Sequence, residues 1–133
     1  METIKVFLEK GKDGYGVSFD ALPNVFGFGE TLEAAKQDAK DTLTGFVEVL
    51  KKHGKPVPEV LQGQYKLVFE FETDTLLDYI SGTVTQVALS KAAGVNRSQI
   101  SQYVTRRKKP RPEQRLKIVQ GLHKIARELL SVS

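Results

Sequence analysis

The chain has 133 residues, of which 40% are apolar and 27% charged, a balance that suits a globular protein of one domain or two small ones. It contains no cysteine, which excludes disulfides and thiolate metal sites, and its two histidines, His53 and His123, are too far apart in sequence to suggest zinc-ligand spacing. The net charge of +4 hides an asymmetry: residues 1–64 carry eight lysines against ten carboxylates, residues 65–80 one against four, and residues 81–133 eleven lysines and arginines, including every arginine of the protein, against two glutamates.

The opening METIKVFLEK has no basic segment followed by an apolar one, so it reads as a strand, Ile4–Leu8, rather than a signal peptide. Lys12-Asp13-Gly14 supplies a turn, and Tyr15–Phe19 alternates apolar with small or polar residues as a second strand of a hairpin. Leu22-Pro23-Asn24 breaks it, and Val25–Phe28 is a short third strand. Thr31 is placed to cap a helix whose apolar positions are Ala34, Ala35, Leu43, Phe46, Val47 and Leu50. Gly54, Pro56 and Pro58 end that helix. Tyr65–Phe71 is a fourth strand, with Leu67, Phe69 and Phe71 on one face and Lys66, Val68, Glu70 and Glu72 on the other. The order βββαβ predicts one antiparallel sheet with one helix packed on it, a small α+β domain over residues 1–72.

The rest, residues 73–133, reads as an all-α domain, with residues 73–82 as the junction. Leu76, Leu77 and Ile80 mark a short helix closed by Gly82. A second helix runs over 85–93, a third over 97–105, and a last one over 113–130 with Leu116, Ile118, Val119, Leu122, Ile125, Ala126, Leu129 and Leu130 on its apolar side. That set suits either a dimer contact or closure of the domain core. His53 is expected to complement a helix C-terminus, and His123 to serve the structure of the last helix. No apolar run approaches the ~18 residues that span a bilayer, so the expected location is the cytoplasm, with no membrane partner.

The stretch TQVALSKAAGVNRSQISQYV carries the most specific signal. Leu89 and Ala93 pack the first helix, Gly94 takes the left-handed position that ends it, Val95 plugs the corner, and Asn96 caps the next helix with Gln99 three residues on, an approximate capping box. Ile100, Tyr103 and Val104 then face the core. This spacing resembles the helix-turn-helix of bacterial repressors, with Ser90 standing where alanine is usual. In such motifs the second helix enters the major groove N-terminus first. Arg97, Ser98 and Gln102 are the expected base readers, since arginine pairs with guanine and glutamine with adenine in bidentate fashion. Asn96, Ser101 and Thr105, the run Arg106, Arg107, Lys108 and Lys109, and, by resemblance to repressors, Gln86 are the expected DNA-backbone contacts. One helix covers a half-site, so a dimer or higher homo-oligomer is expected on double-stranded operator DNA.

Asp13-Gly14-Tyr15, Val17-Ser18-Phe19, Leu22-Pro23 and Gly29-Glu-Thr-Leu-Glu-Ala-Ala35 ahead of a long helix resemble, in order and spacing, the HicB antitoxin domain, over residues 4–72. Asn24 departs from the glycine usual after Leu-Pro. The helix-turn-helix matches one of the DNA-binding tails of that family. The resemblance implies a truncated ribonuclease-H-like fold, a HicA-like toxin that is small, basic and mRNA-cleaving as partner, and repression of the chain's own operon. Asp13, Tyr15, Asp20 and Glu30, on loops and strand ends, are the candidate toxin contacts. No catalytic, metal or cofactor role is expected: Asp13, Asp20, Glu30 and Asp38 are scattered, whereas metal-dependent nucleases need converging carboxylates. The competing readings are a stand-alone repressor whose N-terminal domain senses a small molecule, and a ribonuclease using that domain.

Overall fold

The computed structural model describes residues 1–133, which divide into two compact units, Met1–Thr75 and Leu76–Ser133. The whole is α+β, with a four-stranded mixed sheet and five helices.

In the first unit, β1 (Glu2–Lys10) pairs antiparallel with β2 (Tyr15–Phe19), which pairs antiparallel with β3 (Phe26–Gly29). The chain then enters α1 (Leu32–Lys52), capped by the Thr31 hydroxyl accepting the Ala34 N–H at 3.1 Å. After one 3-10 turn (Glu59–Leu61) it returns as β4 (Tyr65–Phe71). Sheet order is β3-β2-β1-β4, and β4 runs parallel to β1. The wholly antiparallel sheet expected from the sequence is therefore incorrect. A long helical crossover carries the chain back over the sheet and lets β4 enter beside β1 in the same direction.

Strand alternation sends Ile4, Val6, Leu8, Val17 and Phe19 to one face, where α1 meets them with Ala35, Ala39 and Leu43, all buried. The spacing of those three helix residues is i, i+4, i+8. Ala34, expected on this side, is exposed, and Ala39 takes the inner position. Gly29 permits the close approach of β3 to α1: a Cβ there would meet the backbone of Ala34 and Ala35.

The remaining helices are α2 (Thr73–Thr83), α3 (Gln86–Ala93), α4 (Arg97–Val104) and α5 (Pro112–Leu130). The division between the units falls inside α2. Leu76, Leu77, Ile80, Leu89, Val95, Ile100, Tyr103 and Ile118 are buried. Along α5 the expected apolar side is only partly used: Ile118 is buried, but Leu116, Leu129 and Leu130 are exposed. The residue that seats α5 on α3 is Gly121, where a Cβ would lie 2.8 Å from the Cα and N of Ala93. No helix is long and apolar enough to cross a membrane.

Candidate nucleic-acid interface

Each joint of the α3–turn–α4 corner has a local cause. Thr85 caps α3, its hydroxyl accepting the Ala88 N–H at 3.1 Å. Gly94 closes α3 in the left-handed region (φ +67°) and its N–H bonds the Ser90 carbonyl at 3.0 Å. Val95 fills the corner, 3% exposed. Ser90, a departure from the usual alanine, makes a contact that sequence reasoning missed: its hydroxyl donates to the Val95 carbonyl at 2.6 Å and ties the turn to the helix before it. Asn96 caps α4 by accepting both the Ser98 N–H and the Ser98 hydroxyl, each at 2.8 Å. The reciprocal half of the expected capping box is not made. The Gln99 N–H bonds the Asn96 carbonyl, while the Gln99 side chain lines a pocket.

Ile100 and Tyr103 anchor α4 in the core, which turns Arg97, Ser98, Ser101, Gln102 and Thr105 outward. Arg97, Ser98 and Thr105 are exposed, whereas Ser101 and Gln102 are half-buried, as is Gln86 at the start of α3. Two of the outward hydroxyls are already donating: Ser98 to Asn96, and Thr105 to the Ser101 carbonyl at 2.8 Å. Their oxygens keep acceptor capacity only, so of the three expected base readers Arg97 and Gln102 retain donors for a base edge.

The basic run leaves α4 in a particular shape. Arg106 adopts φ +64°, a left-handed conformation at which glycine is usual. Its guanidinium is drawn back into the unit, donating to Asp78 at 2.6 Å and to the Val104 carbonyl at 3.2 Å. Arg107 and Lys108 both bond the Gln102 carbonyl through their N–H groups, Pro110 is buried, and the loop folds against α4. Between them lies a pocket of about 520 Å³ lined by Gln99, Gln102, Tyr103, Lys108, Lys109, Arg111, Glu113 and Gln114. Three cations against one carboxylate favour an anion there, and the buried Gln114 Oε1 in that wall has no donor. Of the expected backbone contacts, the structure thus gathers Lys108 and Lys109 beside Gln102, leaves Arg107 exposed, and commits Arg106 elsewhere. His123, expected to be structural, is exposed, beside Lys117, Lys124 and Arg127 along a shallow groove on α5.

In the first unit, the four candidate toxin contacts do not form one cluster. Asp13, Tyr15 and Glu30 share one end of the sheet, where Tyr15 pairs with Gly29 and stacks on Phe71 with ring centroids 6.5 Å apart. Asp20 sits past the opposite end of β2. Its carboxylate accepts the Lys5 N–H at 3.1 Å and its own N–H returns a bond to the Lys5 carbonyl. Asp38 likewise serves the backbone, accepting the Phe28 N–H at 2.8 Å. No group of three His, Asp or Glu side chains stands close enough to hold a metal ion.

No family model matches the chain. A UPF0150 protein of Thermoplasma acidophilum is 37% identical over 54 residues, which make up 40% of this chain and 78% of the relative.

Proposed function

The chain belongs to the UPF0150 family, a small HicB-related family, and from that premise we propose that it is an antitoxin of the HicB type. The first domain (residues 1–72), of truncated ribonuclease-H-like type, binds and neutralises a HicA-like, mRNA-cleaving toxin. The second (residues 73–133) holds the chain on double-stranded operator DNA and represses its operon, acting as a dimer or larger homo-oligomer in the cytoplasm. The chain acts by binding and carries out no catalysis of its own.

The observation that carries the DNA half is the corner itself: Gly94 left-handed, Val95 tied to Ser90, and α4 beginning at a capped, exposed Arg97. The adjoining pocket supports it, because Lys108 and Lys109 line it together with Gln102, and cations beside a base-reading side chain suit a backbone phosphate. Arg97 and Gln102 read bases, Ser98 accepts from a base or a phosphate, and Lys108 and Lys109 hold the backbone. Gln86, Asn96, Ser101, Thr105 and Arg107 supply further backbone contacts.

Two measurements test the two halves. In cells arrested by a HicA-type toxin, co-expression of the full chain restores growth; continued arrest with the chain well expressed would sink the antitoxin reading. In a gel-shift assay the chain retards DNA from upstream of its own gene in preference to scrambled DNA of equal length. Equal retardation of both would remove operator recognition and leave charge-driven binding alone.

A further inference from the structure

One face of the first unit's sheet has no partner in the unit. The inner face is the one buried under α1. Register sets what stands on the other. Ser18 lies opposite Phe26 and Phe7, and Phe7 opposite Glu70, so these four make one row across the sheet. Gly16 lies opposite Phe28 and Glu9, which make the next. Phe26 and Phe28 must point outward, because the glycines alternating with them face α1: a Cβ on Gly27 would meet Asp38 and Thr42, and one on Gly29 the backbone of Ala34 and Ala35.

The two rings are 67% and 49% exposed, which is costly for phenylalanine and serves no core. Their cross-strand neighbours are Ser18 and Gly16, both small; Phe26 stands clear of the surface, and the Phe28 ring leans over Gly14 with half its surface still exposed. Beyond that trough are Glu9 and Glu70, neither held in an ion pair. The lysines of this face, Lys5 and Lys66, sit at its other end, opposite Val68 and Thr3. Strand addition is disfavoured at the β3 edge, since the Asp38 carboxylate already occupies the outward Phe28 N–H. What remains available is the face: two aromatic anchors beside two uncompensated carboxylates.

We infer that this face is where the chain docks a basic protein, whose apolar centre covers Phe26 and Phe28 and whose lysines or arginines meet Glu9 and Glu70. The inference rests on the antitoxin reading, which makes the partner a HicA-type toxin. It places the contact on the sheet face instead of the loops and strand ends carrying Asp13, Tyr15, Asp20 and Glu30. Aromatic anchors of this kind are where binding energy concentrates, and the flanking charges set the encounter rate.

The test titrates a separately purified HicA-type toxin into the full chain and its variants. Phe26→Ser/Phe28→Ser is expected to weaken binding about 100-fold, as loss of paired aromatic hot spots does. Glu9→Lys/Glu70→Lys is expected to weaken it roughly 10-fold or more and to flatten its salt dependence. Asp13→Asn/Glu30→Gln is expected to change it less than about 3-fold, as rim contacts do. Hydroxyl-radical footprinting of the unsubstituted chain needs no variant to fold: both rings oxidise in the free chain and are protected in the complex. If the rings stay reactive in the complex, or the phenylalanine variant binds undiminished, this surface is wrong and the antitoxin reading stands. If the unsubstituted chain neither binds such a toxin nor relieves growth arrest, both fall.

Discussion

The two units place their candidate sites in opposite ways. In the second, the corner is local in sequence: Thr85 to Thr105 hold both helices and the turn, and each of its joints is a contact between near neighbours, with Arg106 to Asp78 the one long tie of the loop that follows. In the first, the exposed aromatic face is assembled from β1, β2, β3 and β4, residues that meet only through strand register. A local site is fixed by turn chemistry and tolerates change elsewhere in its unit. A register site depends on every pairing that aligns it, so damage to the packing of one strand removes it whole.

That difference predicts the largest effects. Gly29 and Gly121 are both points of close approach, one in each unit, and neither can take a Cβ without something moving. At Gly29 the obstacle is the backbone of α1, so Gly29→Ala is expected to cost about 3 kcal/mol or more, a severe case of overpacking. It should displace β3 and abolish toxin binding. At Gly121 the obstacle is also backbone, the Cα and N of Ala93 with its Cβ, but the overlap is milder than at Gly29, and the gain of about 1 kcal/mol in helix propensity offsets part of the clash. Gly121→Ala should therefore cost about 1–2 kcal/mol. Urea unfolding followed by hydrogen exchange separates the two: amides of β1–β3 lose protection in the first variant, those of α3 and α5 in the second. Equal loss in both units for either variant would break the comparison.

Next in size are the effects at the proposed DNA contacts. Gln102→Ala is expected to weaken operator binding by about 1–3 kcal/mol while leaving scrambled DNA almost unaffected, because a bidentate base contact discriminates. Lys108→Ala is expected to weaken both DNAs alike and to reduce the slope of log affinity against log salt by about 0.9, one released counterion. A change of slope in the glutamine variant, or of specificity in the lysine variant, would reverse the two roles.

What could be read from sequence follows the same division. The corner was legible because glycine at a left-handed position, a capping asparagine and the apolar positions of α4 act over a few residues. In the first unit the element order was legible and the sheet direction was not. Nothing within Tyr65–Phe71 states which neighbour it joins; the crossover through α1 decides that, and it made β4 parallel. The exposed phenylalanines were counted as an ordinary strand. Their signal was the alternation Phe26-Gly27-Phe28-Gly29, which leaves one face bare for a close helix and the other heavy. The backbone partners of Asp20, a candidate toxin contact by sequence, and of Asp38, one of the scattered carboxylates, were not legible because a bond from a distant backbone N–H leaves no mark in local spacing.

The smallest expected effect bears on the one place where the basic run misleads. As a string, Arg106-Arg107-Lys108-Lys109 offers four equivalent cations to DNA. In the fold, Arg106 is the turn residue that ends α4, at φ +64°, and its guanidinium is held by Asp78. The pair is 39% and 73% exposed, so the ion pair itself contributes at most about 1 kcal/mol. The left-handed backbone costs a non-glycine residue about 1 kcal/mol. Arg106→Ala keeps that strain and loses the pair, and is expected to lower stability by about 1 kcal/mol at most. Arg106→Gly loses the pair but relieves the strain, and is expected to fall within about 0.5 kcal/mol of the unsubstituted chain. Neither should alter the salt slope of DNA binding, since this guanidinium is already committed inside the unit. A loss of about 0.9 in slope, matching that of Lys108→Ala, would mean that Arg106 exchanges Asp78 for a phosphate when DNA arrives. The left-handed turn would then position a fourth cation instead of withdrawing it.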